Sequence, residues 1–221
     1  MKNLKLTLAT TSLLAAFALL QGCVPAVIAT GATVGVMSAQ DRRTTVIQTE
    51  DESNEWKAAK SVPARFSATS HLNFISFNRR LLITGEVPSE EAKTAIGEQA
   101  AKVAGVSEVI NETRVGPVSS LTTRSNDSYI TSKVKSRLVD EKTLSANHIK
   151  VVTESSVTYL MGIVGDREAK VSVIITRTTD GVSKVVNLME VVSDAEIKRL
   201  DTPPGGAKPT GTPPAPVENR Q

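Results

Sequence analysis

The chain has 221 residues, enough for one or two domains, and its 26 Lys and Arg residues nearly balance 23 Asp and Glu residues. This even charge balance, together with only 3% aromatic residues, excludes the basic, base-stacking surface of a typical nucleic-acid-binding protein. One cysteine and two histidines exclude a disulfide framework, a multi-cysteine metal site and a three-histidine zinc site.

The N-terminus has the pattern of an export signal. Lys2 and Lys5 form a positive start, and an uncharged apolar run follows over residues 6–20. This run is shorter than the roughly 20 apolar residues that a membrane-spanning helix needs. We therefore predict that residues 1–22 are a signal peptide that is removed from the mature protein.

A lipid anchor is predicted at Cys23, the single cysteine of the chain. It ends the tetrapeptide Leu20-Gln21-Gly22-Cys23, which resembles the bacterial lipobox, where a signal peptidase cuts before a cysteine that carries acyl chains such as palmitate. The next residue is Val24, not the aspartate associated with retention in the inner membrane. The resemblance implies a protein anchored by lipid in the outer membrane and facing the periplasm. The alternative is a plain secretory signal that contains a cysteine by chance.

Two segments are predicted to flank the folded part of the chain. Residues 23–50 begin with small apolar residues, and we predict that they form a lipidated, flexible tether next to the membrane. Residues 201–221 are rich in proline and glycine. Because such a composition cannot build a core, we predict a disordered tail.

The middle of the chain contains an internal repeat. Residues 71–75 align with residues 148–152, and residues 105–111 align with residues 181–187. The agreement at both ends indicates two copies of one structural module.

Each copy has the same order of predicted elements: a β-hairpin, a helix with acidic residues in its first turn, and a final strand. A helix capped by Asn126 or Asp127 precedes the second hairpin, and a weaker helical pattern over 51–62, interrupted by Pro63, precedes the first. The predicted fold class is α+β: two tandem αββαβ modules, each a three-stranded sheet with two helices on one face. The predicted strands are 72–77, 80–84 and 107–115 in copy one, and 149–153, 157–161 and 183–192 in copy two.

The modules resemble the BON domain. The resemblance rests on Gly85 and Gly162, expected at the ends of the second strands, and on Gly105-Val106 and Gly181-Val182, expected at the ends of helices.

The order of lipobox, tether, module 51–116 and module 125–193 resembles the dual-BON outer-membrane lipoproteins. In that family the second module binds anionic phospholipid through its first helix, and the proteins support envelope integrity and gather at the division site. The resemblance therefore implies a non-enzymatic protein whose partner is an anionic phospholipid membrane.

The helix predicted over residues 127–139 presents the candidate binding face. An aromatic residue, Tyr129, and an apolar residue, Val139, fall opposite the predicted core stripe, with lysines on either side and small serines between them. The core stripe consists of Ile130, Val134 and Leu138. The predicted phospholipid-binding residues are Tyr129, Ser132, Lys133, Lys135, Ser136 and Val139.

Two alternatives stay open at this point. The face could be an ordinary solvated helix surface with one exposed tyrosine. The protein could also be a periplasmic protein–protein scaffold for an envelope assembly or a stress-response partner, since exposed sheet edges and helix faces bind other chains.

No catalytic constellation, cofactor or metal site is expected. His71 and His148 occupy matching places in the two copies, which the repeat explains, and neither has a cysteine or carboxylate at ligand spacing in the sequence. The pair Glu90-Glu91 is explained by the favourable position of negative charge at the start of a helix.

Overall fold

The computed structural model describes residues 41–202. The predicted signal peptide, the lipid attachment at Cys23, most of the predicted tether and most of the predicted tail lie outside the described residues.

Module 1 follows the predicted order, with a short second helix and a divided last strand. Strands β1 and β2 form an antiparallel hairpin, and β3 and β4 both pair in parallel with β2. The elements are α1 (Thr45–Ser61), α2 (Ala64–Ser67), β1 (His71–Phe77), β2 (Arg80–Val87), α3 (Glu90–Ala101), β3 (Glu108–Asn111) and β4 (Arg114–Val115).

Module 2 repeats this arrangement, with β5 and β6 antiparallel and with β7 and β8 both parallel to β6. A short 3₁₀ helix, Ala146–His148, precedes β5, and a helix beyond the predicted module follows β8. The elements are α4 (Leu121–Asp140), β5 (Ile149–Glu154), β6 (Val157–Val164), α5 (Asp166–Arg177), β7 (Lys184–Asn187), β8 (Glu190–Val191) and α6 (Asp194–Leu200).

The predicted α+β class with two αββαβ modules is confirmed, but each last strand is in two pieces. In module 1 the Asn111 side-chain oxygen accepts hydrogen bonds from the Thr113 backbone NH and hydroxyl. In module 2 Asn187 accepts one from the backbone NH of Met189. These local bonds divide the final strand into two short strands that pair with the same neighbour.

The two sheets pack against each other, and the helices cover their outer faces. Successive side chains of a strand point to opposite faces of the sheet. In each module, the side chains on one face therefore contact the helices, and those on the other face contact the sheet of the other module. The core between the sheets contains Ile75, Phe77, Leu82, Tyr159, Met161 and Ile163. Both modules therefore contribute to one buried layer.

Both hairpin turns are held by a buried aspartate from the preceding helix. Asp127 accepts hydrogen bonds from the backbone NH groups of Ser155 (2.9 Å) and Ser156 (2.8 Å). In module 1 Asp51 does the same for the turn residues after β1. The prediction that Asp127 or Asn126 caps helix α4 is wrong, because the helix begins at Leu121 with Ser120 accepting from the Thr123 NH.

The predicted position of Gly85 and Gly162 at the strand ends is also wrong. Both lie inside strands, which continue to Val87 and Val164. A side-chain Cβ at Gly85 would lie 2.0 Å from a backbone oxygen of the neighbouring strand, and one at Gly162 would lie 2.4 Å from the equivalent oxygen. The glycines therefore permit a close approach between the strands of each hairpin.

The folded part extends beyond the predicted boundaries at both ends. The tether was predicted to reach residue 50, but α1 begins at Thr45, and Pro63 follows this helix rather than interrupting it. Arg42 is buried and bonds to Glu168 and to Asp201, the first residue of the predicted tail. Ion pairs with module 2 thus bring the end of the tether and the start of the tail into the fold.

Candidate membrane-binding site

Helix α4 packs on the sheet of module 2 through the predicted stripe. Ile130, Val134 and Leu138 are each at most 1% exposed and belong to one hydrophobic core. The predicted inward face of the helix is confirmed, which places the opposite face in solvent.

The outward face of α4 carries exposed apolar side chains. Tyr129 is 63% exposed and Val139 is 70% exposed, as the spacing predicted. Leu121, which the predicted helix did not include, is 75% exposed. It lies five helical turns before Val139, so both fall on the same side, about 27 Å apart along the axis.

Between these apolar side chains lie serines, whose short side chains project little from the helix. The Ser128 hydroxyl donates to the Arg124 carbonyl, and the Ser132 hydroxyl donates to the Ser128 carbonyl. Ser136 is exposed on the same side of the helix. Short hydroxyl side chains folded back onto the helix let a flat surface approach the backbone closely.

The two predicted lysines differ in their surroundings. The Lys133 ammonium lies 3.0 Å from the carboxylate of Asp180 and 4.9 Å from the centre of the Tyr129 ring. Lys135 is exposed and forms no ion pair among the residues that the structure describes. Lys135 is therefore the more available charge, while Lys133 also braces the tyrosine.

A groove of about 360 Å³ adjoins the C-terminal end of this face. It combines cationic and apolar side chains, and Lys135 and Val139 form its α4 wall. The other lining residues are Arg43, Phe77, Ala146, Asn147, Ile149 and Lys150. Sequence reasoning missed this groove because its walls come from four separate segments of the chain.

Two of the cations in the groove are already paired. Arg43 bonds to Asp51 at 2.7 Å, and its guanidinium lies 4.0 Å from the centre of the Phe77 ring. Lys150 bonds to Glu55 at 2.7 Å. Lys135 is thus the groove cation that has no carboxylate partner within residues 41–202.

The chain enters the folded unit close to this groove. Arg42 donates to the Ile163 carbonyl and to the carboxylates of Glu168 and Asp201. Burial alone would raise the pKa of Glu168, but hydrogen bonds from Arg42 and the Gly165 backbone hold that pKa below its usual value. The Arg42 hydrogen bond likewise lowers the pKa of Asp201.

A separate cluster joins His71 to two carboxylates, Glu86 and Glu154, within 4.8 Å. The sequence spacing had given no reason to expect carboxylates next to this histidine. The sheet register brings Glu86 opposite His71, and packing of the second sheet brings Glu154 to the same place.

Comparison with known families agrees with the repeat. The BON domain model matches residues 56–117 and residues 126–193. The chain belongs to the BON-domain family. Its two BON modules are the two αββαβ units of the structure.

Two curated proteins are similar to this BON protein over most of their length. The "Outer membrane lipoprotein DolP" of Haemophilus influenzae is 37% identical over 180 residues, which cover 80% of this chain and 93% of that protein. The "21 kDa hemolysin" of Actinobacillus pleuropneumoniae is 29% identical over 154 residues, or 69% of this chain and 79% of that protein. The similarity to the first supports the predicted outer-membrane lipoprotein.

Among solved structures, the type III secretion protein CdsD of Chlamydia trachomatis matches with a TM-score of 0.28 and 13% identity. That match covers 66% of this chain and 96% of the CdsD chain, and so low a score supports no argument. Within residues 41–202, no helix is long and apolar enough to cross a membrane.

Proposed function

We propose that this BON protein is a non-enzymatic lipoprotein of the outer membrane that faces the periplasm and docks on anionic phospholipid through helix α4. The proposal is carried by one observation. Tyr129 and Val139 are exposed on the face opposite the core, next to a lysine, Lys135, that has no ion-pair partner within the described residues. An aromatic side chain, a small apolar side chain and a free cation are the components of a shallow interfacial contact.

The expected docking energy is small. Each lysine near an anionic surface contributes about 1 kcal/mol. Partial burial of the exposed part of Val139 adds roughly 1 kcal/mol. Contacts of this size bind weakly in free solution, but a lipid anchor keeps the module near the membrane and raises its effective concentration.

The place where the chain enters the folded part also supports a role for this face of α4 in membrane binding. Arg43 lines the groove beside Lys135 and Val139, and it directly follows the buried Arg42. From Cys23 to Arg42 a fully extended chain would span at most about 70 Å. An anchor at Cys23 would therefore hold Arg43, which lines the groove, within about 70 Å of the membrane surface.

Support of envelope integrity and gathering at the division site belong to the same proposal. Their basis is the family resemblance. A reversible contact with anionic lipid would let an anchored protein respond to the local lipid composition, because its bound fraction would follow the surface charge.

Flotation with liposomes tests this proposal. The lipid-free unit of residues 39–221 should float with vesicles that contain phosphatidylglycerol and stay behind with phosphatidylcholine alone. The bound fraction should fall as salt rises from low to physiological concentration, because salt screens exposed charges. Equal flotation with both vesicle types, or none with either, would contradict the proposal.

A protein–protein scaffold is the second candidate, and one surface of module 1 favours it. Trp56 is 67% exposed and Val46 is 66% exposed on helix α1, and the Lys60 ammonium lies 3.4 Å from the centre of the Trp56 ring. Exposed tryptophan is a frequent anchor of protein interfaces. If this candidate is right, changing Trp56 should remove an envelope partner from crosslinked cells and leave liposome binding unaltered.

A further inference from the structure

Three ionisable side chains meet in the layer between the two sheets. His71 starts β1, and Glu86 is its partner across the β1–β2 pair. Glu154 comes from the end of β5 in the other module. The side chains of His71, Glu86 and Glu154 are 18%, 2% and 7% exposed.

The atoms that face one another are a histidine nitrogen and two carboxylate oxygens. Nδ1 of His71 lies 3.4 Å from Oε2 of Glu86 and 3.9 Å from Oε1 of Glu154. Among the described residues, both His71 Nδ1 and Glu154 Oε1 are buried without a hydrogen-bond partner. Burying a carboxylate oxygen and a ring nitrogen without partners costs free energy, unless a proton or a cation bridges the two atoms.

Other hydrogen bonds already hold both carboxylates in place. Oε1 of Glu86 accepts from Arg114 and from the Ser155 hydroxyl, and its Oε2 accepts from the Ser119 NH. The other oxygen of Glu154 accepts from the Asn73 amide at 2.6 Å. Such neighbours orient side chains in the way that outer partners orient metal ligands.

The distances favour a cation over a shared proton. A hydrogen bond would bring the heavy atoms to about 2.7–3.2 Å. Ligands around tetrahedral Zn²⁺, with bonds of about 2.0–2.1 Å, lie about 3.3–3.5 Å apart. The His71–Glu86 separation of 3.4 Å falls in the second range, and the Glu154 separation of 3.9 Å is nearer to it than to the first.

We propose that His71, Glu86 and Glu154 bind a divalent transition-metal cation, for which Zn²⁺ is the probe, and that this cation links the two BON modules. One imidazole and two carboxylates form a donor set suited to Zn²⁺ and similar ions, with a further position open to water. The dication would bind the Glu154 oxygen that has no hydrogen-bond partner among the described residues, while Glu86 keeps its ion pair with Arg114.

The surroundings shift the pKa values of the two carboxyl groups in opposite directions. Burial raises the pKa of Glu154, as expected for an acid that lacks a full set of partners. Burial also opposes ionisation of Glu86, but hydrogen bonds from Ser119 and Arg114 hold its pKa below the usual value.

The matching place in module 2 shows why the site occurs once within the described residues. His148 Nδ1 lies 3.9 Å from Glu168, but the guanidinium of Arg42 already bonds to that carboxylate. Burial and the nearby Arg42 charge lower the pKa of His148. The carboxylate beside His148 is thus already paired with a fixed cation, and His148 provides a matched control.

The test uses the untagged mature lipoprotein in detergent, stripped with a chelator and titrated with Zn²⁺. We expect one Zn²⁺ per chain by elemental analysis and a melting temperature that rises with Zn²⁺, because a ligand that binds the folded state stabilises it. Glu154→Gln preserves the side-chain shape and should weaken Zn²⁺ binding at least tenfold, as should His71→Asn. His148→Asn should bind like the unchanged protein.

Four results would overturn the proposal. The first is a stripped protein that takes up no Zn²⁺ at micromolar concentration. The second is a folded Glu154→Gln variant that binds Zn²⁺ as tightly as the unchanged protein. The third is an equal loss in His148→Asn, which would place the metal elsewhere. A melting temperature that follows pH but never Zn²⁺ would assign the cluster to a shared proton instead.

Discussion

Replacing Asp127 by alanine should destabilise the protein although the residue lies on the helix proposed to bind lipid. The Asp127 carboxylate is 3% exposed and accepts two backbone hydrogen bonds from the turn between β5 and β6. The turn residues Ser155 and Ser156 have positive φ angles of 50° and 63°. Such a backbone conformation is unfavourable for serine, so it needs the carboxylate to hold it.

The size of the effect follows from these two bonds. A hydrogen bond to a charged group contributes roughly 1.5–3 kcal/mol. Because Ser155 and Ser156 are only partly buried, water can reach their NH groups after the carboxylate is removed. We therefore expect the lower end of the range for each bond, or a loss of about 3 kcal/mol in the free energy of unfolding.

Urea denaturation followed by circular dichroism measures this loss. With an m-value of about 2 kcal/mol/M, the midpoint should fall by roughly 1.5 M. Asp127→Asn keeps one acceptor oxygen and should lose about half as much. Asp140→Ala removes an exposed carboxylate at the end of the same helix and should change the free energy by at most about 0.5 kcal/mol. An Asp127→Ala loss below about 1 kcal/mol would refute the role of this residue in the turn.

Three further predictions follow from other parts of the molecule. Gly162→Val should lower the melting temperature strongly in a thermal scan because its Cβ would meet a backbone oxygen at 2.4 Å, whereas Gly116→Val should not, since open space surrounds Gly116; equal melting would contradict this account. Arg42 holds the pKa of Glu168 below its ordinary value of 4.5, so the ionised Glu168 contributes to the free energy of unfolding above that pH, and this contribution is lost as the pH falls through the lowered pKa. Arg42→Ala should therefore make the free energy of unfolding depend less steeply on pH in the acid range. An unchanged pH dependence would refute this role of Arg42. Cys23→Ser should abolish incorporation of labelled palmitate, and continued labelling would contradict the anchor.

The elements and the inward face of α4 could be predicted because their signals are local. The spacing of Ile130, Val134 and Leu138 is enough to define a helical stripe, and the structure buries all three. The internal repeat strengthened the prediction of the elements, because a weak pattern in one copy could be compared with the clearer pattern in the other. The exposure of Tyr129 and Val139 followed from the same helical geometry.

Features that join distant segments could not be predicted. Asp127 has the sequence character of a helix cap, but its partners are the NH groups of a turn in the following hairpin. Arg42 falls within the predicted tether of residues 23–50, because its partners, Glu168 and Asp201, lie far along the chain. The Asp127 contact forms only when module 2 folds, and the Arg42 contacts form only when the start of the folded part packs on module 2.

The central claim is that the outward face of α4 docks on anionic lipid, and flotation of matched tyrosine and tryptophan variants tests it most directly. Tyr129→Glu and Trp56→Glu each place a carboxylate at an exposed aromatic position on the first helix of a module, 63% exposed in one case and 67% in the other. With circular dichroism confirming that both variants are folded, Tyr129→Glu should lose binding to phosphatidylglycerol vesicles, and Trp56→Glu should bind like the unchanged protein. If folded Tyr129→Glu floats as well as Trp56→Glu, helix α4 is not the docking surface.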